Sequence, residues 1–242
     1  MRYKMIISYD GSYFHGFQRQ KDYLTVQEIL EKAISEIAKE TVTVKSSGRT
    51  DTGVHALGQV IHFDILNKIP PKNFAKVLNK KLYPHIYIKE AQIVDDLFHA
   101  RKLAVKKEYH YIVSLNEFNP LEAMYKHFFH NRIDIAKIKE AMTYIVGKHD
   151  FKTFNKNKQI KNTVRTIESF ELEAKNNELI FKIVGDGFMH NMVRIIIALM
   201  LKVGEGKYEP SEVKQMIEGR NRKLVPYVAP ANGLYLVKVY YD

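Results

Sequence analysis

The chain has 242 residues, 45% of them hydrophobic, with no cysteine, no tryptophan, and 38 Lys+Arg against 27 Asp+Glu for a formal charge of +11. That length fits one large domain or two modest ones, and the charge favours a polyanionic partner. The missing cysteines exclude disulfides, cysteine-bound zinc and the thiolate attack that many RNA C5-methyltransferases use, and no apolar run approaches the roughly 20 residues of a membrane span.

Arg2–Tyr9 alternates like a strand, with Tyr3, Met5 and Ile7 on one face, and does not read as a signal peptide. A soluble, cytoplasmic protein is expected. Asp10-Gly11-Ser12 breaks the strand, and Tyr13 to Gln20 follows as a polar and aromatic loop. This loop is either half-buried packing or an RNA-facing surface, because rings beside amide and guanidinium donors suit unpaired bases. Thr25-Val26-Gln27-Glu28 is a capping box. Val26, Ile29, Leu30, Ala33, Ile34 and Ile37 then keep helical spacing. Thr41–Lys45 and Gln59–Asp64 read as strands.

Between those strands lies Ser47-Gly48-Arg49-Thr50-Asp51-Thr52-Gly53-Val54-His55-Ala56. Two glycines bracket a single carboxylate, Asp51, with the Arg49 guanidinium two residues before it and the Thr50 and Thr52 hydroxyls beside it. Such a loop either caps its own backbone or presents one acid at a fixed angle. Pro70-Pro71 precedes a predicted helix, Asn73–Leu82, and Ile86–Val94 reads as a strand. The order of elements puts helices on one face of a largely antiparallel sheet.

Phe98-His99-Ala100-Arg101 closes this half. Glu108–Val113 then alternates, with Tyr109, Tyr111 and Val113 on one face. Asp134 can cap a helix over Ile135–Val146, with Gly147 as its stop. Asn155–Asn162, rich in Lys and Asn, is a solvated loop or a phosphate-holding one. Thr163–Ala174 and Leu179–Val184 form a hairpin around Asn176-Asn177. His190–Val203 is apolar over most of its circumference and should be the most buried helix, ended by Gly204. One strong charge, Arg194, lies within it, either snorkelling to solvent or paired with an anion. Pro210-Ser211 opens a short helix to Glu218, and the chain closes on a strand after Ala229-Pro230-Ala231-Asn232-Gly233.

Together these blocks resemble the tRNA pseudouridine synthase A family. Gly11, Phe14, Gly16, Gln18 and Gln20 match its first block, with Phe17 where many members carry Trp. Gly48–Ala56 matches its signature. Phe98, Ala100 and Arg101, then Tyr109 and Tyr111, match the next, and Phe188, Met192, Val193, Arg194, Val203, Gly204 and Gly206 match a later one. Ala229-Pro230-Ala231 with Gly233-Leu234 and Leu236 matches its ending. The departures are local: Thr52 replaces the commoner Ala, and a Cys-Gln pair found in many members before the arginine matching Arg165 is absent.

The resemblance implies two tandem α+β units of ferredoxin-like type, residues 1–103 and 104–242, with mostly antiparallel sheets meeting at a central cleft. It implies a homodimer that binds tRNA and isomerises uridine in the anticodon arm, at nucleotides 38 to 40. Asp51 is implied as the catalytic acid, Arg194 as its ionic partner and Tyr109 as the ring against the flipped uracil. Arg49 is the local alternative cation. Phe14, Gln18, Gln20, Arg49, Arg101, Arg165, Lys156, Lys158 and Lys161 are the expected RNA-binding residues.

Pseudouridine formation breaks N1–C1′, turns the uracil and rejoins it through C5. No redox change and no group donor are involved, so no cofactor and no metal is expected. One ionised carboxylate, as nucleophile or base, is enough. An RNA-binding module of the same fold would not need Asp51 and Arg194 together. A metal-dependent nuclease would want two or more clustered carboxylates, where this loop offers one. A paralogue acting on ribosomal RNA would share all these features.

Overall fold

The computed structural model describes residues 1–157 and 159–242. In chain order the elements are β1 (Arg2–Tyr9), α1 (Val26–Ala38), β2 (Lys45–Ser46), β3 (His55–Asp64), α2 (Pro71–Leu82), β4 (Ile86–Val94) and β5 (Ala104–Ser114). They continue with β6 (His127–Phe128), α3 (Ile135–Thr143), β7 (Gly147–Asp150), β8 (Val164–Lys175), β9 (Glu178–Gly185), α4 (Met192–Gly204), α5 (Glu212–Glu218) and β10 (Leu234–Tyr241). The protein is α+β, and its strand pairs are mostly antiparallel. Two compact units result. One is Met1–Val105 with Tyr235–Asp242, the other Lys106–Leu234. The division therefore falls two residues beyond the expected 103, and the last strand joins the first unit instead of closing the second.

In the first unit β1 pairs antiparallel with β3 on one side and β4 on the other. The alternation of β1 is realised, with Tyr3, Met5, Ile7 and Tyr9 buried. Tyr3 stacks on Phe63 (centroids 5.6 Å, 6°) and meets Phe74 of α2 edge-on at 5.5 Å. The opposite face carries Lys4, whose Nζ sits 5.1 Å from the Phe98 ring and 4.7 Å from that of Tyr241. The far edge of β3 is shared. β2 pairs with its Ile61–His62 end, and β10 runs parallel to its His55–Ala56 end.

The Thr25 cap forms as its sequence predicts, with Oγ1 accepting from Glu28 N–H at 3.4 Å. The strand expected over Thr41–Lys45 does not form; only Lys45–Ser46 is paired. Side chains of α1 have taken its backbone donors. Val42 N–H donates to Ser35 Oγ (3.0 Å) and Val44 N–H to Glu31 Oε1 (3.0 Å), which satisfies the backbone without a ladder. β3 in turn starts four residues before Gln59, inside the glycine-bounded stretch.

In the second unit β9 lies between β5 and β8, and β7 pairs with β8. Asn176 and Asn177 turn the β8–β9 hairpin, both with positive φ (52° and 56°), as a two-residue primed turn requires. α3 is shorter than expected. It is capped by Asp134 and ends at Thr143, where Tyr144 and Ile145 tighten into three-residue bonds to Ala141 and Met142. Gly147, expected to stop that helix, instead opens β7 at φ +114°. α4 is buried over nearly its whole surface. Gly204 lies against α3, where an added Cβ would come within 2.7 Å of Ile138 Cδ1. Among the described residues no helix is long and apolar enough to cross a membrane.

Candidate active site

Asp51 stands half-buried in a turn closed by Val54 N–H donating to its carbonyl at 3.1 Å, with Gly53 at φ +79°. Gly48, the other bracketing glycine, keeps an ordinary φ; its carbonyl accepts from Gln59 Nε2 (2.9 Å) and Ser46 Oγ (3.0 Å). Thr50, just before the acid, is 8% exposed. Its carbonyl accepts from Phe17 N–H at 3.1 Å, and its hydroxyl lies 2.8 Å from that of Tyr9. Behind the turn, Gly11 packs so closely that a Cβ there would come within 2.0 Å of the Val54 carbonyl oxygen. Gly11 N–H donates to Nδ1 of buried His55 (3.1 Å), whose ring stacks on Tyr235 at 4.7 Å. The acid therefore sits on a scaffold held from several directions. Arg49, two residues earlier, is exposed.

The aromatic loop divides. Phe14 and Phe17 are 3% and 2% exposed, so the expectation that Phe14 offers a stacking ring to RNA is not met in the free protein. Its ring meets His85 edge-on at 6.4 Å and serves packing. Tyr13 is exposed instead, with its ring centroid 3.5 Å from that of His85. Sequence reasoning passed over this pair, because nothing in the chain marks His85 as a neighbour of residue 13. Gln18 and Gln20 are exposed, and Gln20 Nε2 is turned to the His15 carbonyl at 2.8 Å. Arg101 is exposed in the turn after Phe98, and its N–H donates to His99 Nδ1 at 3.2 Å.

In the second unit Tyr109 lies on β5 opposite Ile183, 8% exposed, with Phe188 edge-on at 5.1 Å. Arg194 is the third residue of α4 and half-buried. It does not simply snorkel. Nε donates to the Ala229 carbonyl (2.7 Å), and Nη1 to Oδ1 of Asn191 (2.8 Å), the left-handed residue that starts the helix. Tyr111 on β5 donates its hydroxyl to the Pro230 carbonyl at 2.9 Å. Burial pushes its phenol far up, against the opposing pull of the Arg194 charge. The two consecutive segments matched at Arg194 and Ala229-Pro230 are thus one local structure.

Arg165 donates Nη1 to the carbonyls of Val164 (2.6 Å) and Asn162 (3.2 Å), beside Gly187. Lys156 and Lys161 are exposed, while Asn155 is buried and folds the chain back through bonds to the Asn157 carbonyl (2.7 Å) and N–H (3.0 Å). Lys158 lies outside the described residues. Among the described residues no group of three or more His, Asp or Glu side chains could hold a metal ion.

The family described as tRNA pseudouridine synthase matches residues 5–101 and 141–242. The chain is 44% identical over 246 residues to a tRNA pseudouridine synthase A of Bacillus licheniformis, covering 100% of both chains. It is 44% identical over 247 residues to that of Bacillus subtilis, again with 100% of each covered. Against the Acetivibrio thermocellus protein of the same name identity is 43% over 241 residues, covering 98% of each.

Proposed function

The chain belongs to the tRNA pseudouridine synthase family, as an isomerase that converts uridine to pseudouridine in tRNA, and we propose that Asp51 does this chemistry on anticodon-arm uridines, nucleotides 38 to 40. The observation that carries the assignment is the support of Asp51. Its preceding residue is pinned at both carbonyl and hydroxyl, so the carboxylate is presented on a fixed frame.

The carboxylate acts as nucleophile or base while the N1–C1′ bond breaks; the uracil turns, C5 bonds to C1′, N1 gains a proton and C5 loses one. Atoms and charge balance without a donor. The target base must leave its stack to be reached, and Tyr109 is the ring proposed to receive it. The same side chain is proposed to take part in proton loss from C5. Arg194 is the cation that the family resemblance implies as the partner of Asp51. Arg49, Gln18, Gln20, Arg101, Arg165, Lys156 and Lys161 are proposed to meet the RNA, joined by Tyr13 in place of Phe14. The family resemblance also supports a cytoplasmic homodimer, which sedimentation of the free protein tests.

Tritium release from tRNA labelled at uridine C5 tests the assignment. Asp51→Asn should bind tRNA as the parent does and lose at least about a thousandfold in rate, roughly 4 kcal/mol of barrier. A folded Asp51→Asn protein with substantial turnover would sink it.

A further inference from the structure

Beneath the Asp51 turn lies a buried polar network that the chemistry above does not use. Tyr9 is 5% exposed, and its hydroxyl lies 2.8 Å from Thr50 Oγ1. Burial pushes its phenol up to about 12, against hydrogen bonds from Thr50 and Gln59 that favour the phenolate. Gln59 is fully buried. Its Oε1 accepts from Ser47 Oγ (2.7 Å) and Val60 N–H (3.2 Å), and its Nε2 donates to the Gly48 carbonyl (2.9 Å). The loop that carries Asp51 is thus gripped at Ser47, Gly48 and Thr50 by two side chains from the sheet.

Packing alone does not call for these groups. Phenylalanine would fill the place of Tyr9 beside Phe17, and valine that of Thr50, without burying hydroxyls that must then find partners. The register of β1 also shifts between Ile7 and Tyr9, where it pairs with β3. Such an irregularity re-aims a side chain, and here the tyrosine it carries reaches the residue before the acid. Tyr9 and Gln59 also bond to each other, and between them they reach Ser47, Gly48 and Thr50 of the loop.

We propose that Tyr9, Thr50 and Gln59 are positioning residues for the isomerisation, fixing the direction of the Asp51 carboxylate through the loop backbone. The proposal rests on Asp51 being the reacting group. It predicts a particular kinetic pattern. An acid that swings loses reaction rate, whereas tRNA, held by a broad basic surface, still binds.

The experiment measures kcat and KM with C5-labelled tRNA for Tyr9→Phe, Thr50→Val, their double variant and Thr50→Ser, beside Asp51→Asn. Each hydroxyl deletion should lower kcat about ten- to a hundredfold with KM within about twofold of the parent. The double variant should lose much less than the product of the two single losses, since both singles break the Tyr9–Thr50 bond. Thr50→Ser, which keeps the hydroxyl, should recover most of the rate. Single variants with parental kcat, losses confined to KM, or a Thr50→Ser enzyme as poor as Thr50→Val would overturn the positioning role. Tyr9→Phe keeps the ring and its packing, so it decides the question even if Thr50→Val folds poorly. An active Asp51→Asn enzyme would instead overturn the catalytic assignment, which keeps the two failures apart.

Discussion

Arg194 and Ala229 are tied to each other twice: Arg194 Nε donates to the Ala229 carbonyl at 2.7 Å, and Ala229 N–H donates to the Arg194 carbonyl at 3.0 Å. The first turn of α4 is thereby joined to the segment that leads into β10. Lysine has one compact ammonium and no planar fork, so it cannot serve both Ala229 and Asn191 from this position. Arg194→Lys should cost about 1–3 kcal/mol of stability through the abandoned carbonyl. Turnover should fall more than about tenfold as well. Urea unfolding and tritium release measure the two effects, and parental values in both would remove Arg194 from structure and chemistry alike.

Gly16 has φ +85°, and a Cβ added there would approach the Thr50 carbonyl oxygen to 2.8 Å. Gly16→Ala meets two obstacles, a left-handed backbone and a contact with the residue that precedes Asp51. The expected outcome is a loss of about 1–2 kcal/mol in stability. The fall in kcat should exceed the fraction unfolded. Thermal melts and steady-state rates on one preparation make the comparison, and a parental kcat would show that the turn tolerates displacement.

Acid should loosen the fold before the carboxylates titrate. Burial, aided by the charges of His99 and Arg2, holds His62 down to about 4, and burial alone does the same for His127. Both lie below the ordinary 6.5, so the unfolded chain binds more protons between those values. The stability from keeping these rings neutral is complete above about pH 6.5 and is lost as pH falls towards 4. Melting temperature should therefore drop across that window. His127→Phe should flatten part of the slope, because His127 sits edge-on to Tyr111 and Phe129 and its Nδ1 has no hydrogen-bond partner among the described residues. A parental melting temperature unchanged from pH 7 to pH 5 would refute the assignment.

The net charge of +11 should appear in the salt dependence of tRNA binding. Lys156→Glu with Lys161→Glu should reduce the slope of log affinity against log salt by about 1–2 if both side chains meet phosphate. An unchanged slope would leave Lys156 and Lys161 as solvated surface.

Local rules made much of this legible. The Thr25 cap, the alternation of β1, the Asn176-Asn177 turn and the buried face of α4 each depend on neighbours within a few residues. Expectation failed where distant side chains intervened. Ser35 and Glu31 claimed the backbone of Val42 and Val44, and no spacing along the chain announces that. The site shows the same limit. Asp51 is conspicuous between its glycines, yet Tyr9 and Gln59, which hold its loop, look like ordinary strand residues. Phe14 looked available for RNA because its neighbours are polar, and only the fold shows its ring turned inward.

The sharing of one edge of β3 by two strands has a consequence for biosynthesis. β10 is translated only after all of Lys106–Leu234, so the edge of β3 away from β1 stays uncovered at His55–Ala56 for on the order of ten seconds at 5–20 residues per second. An uncovered strand edge invites pairing with other chains. The first unit is therefore vulnerable during synthesis at the strand that follows its Asp51 turn, and shortening the chain before Tyr235 would make that transient exposure permanent.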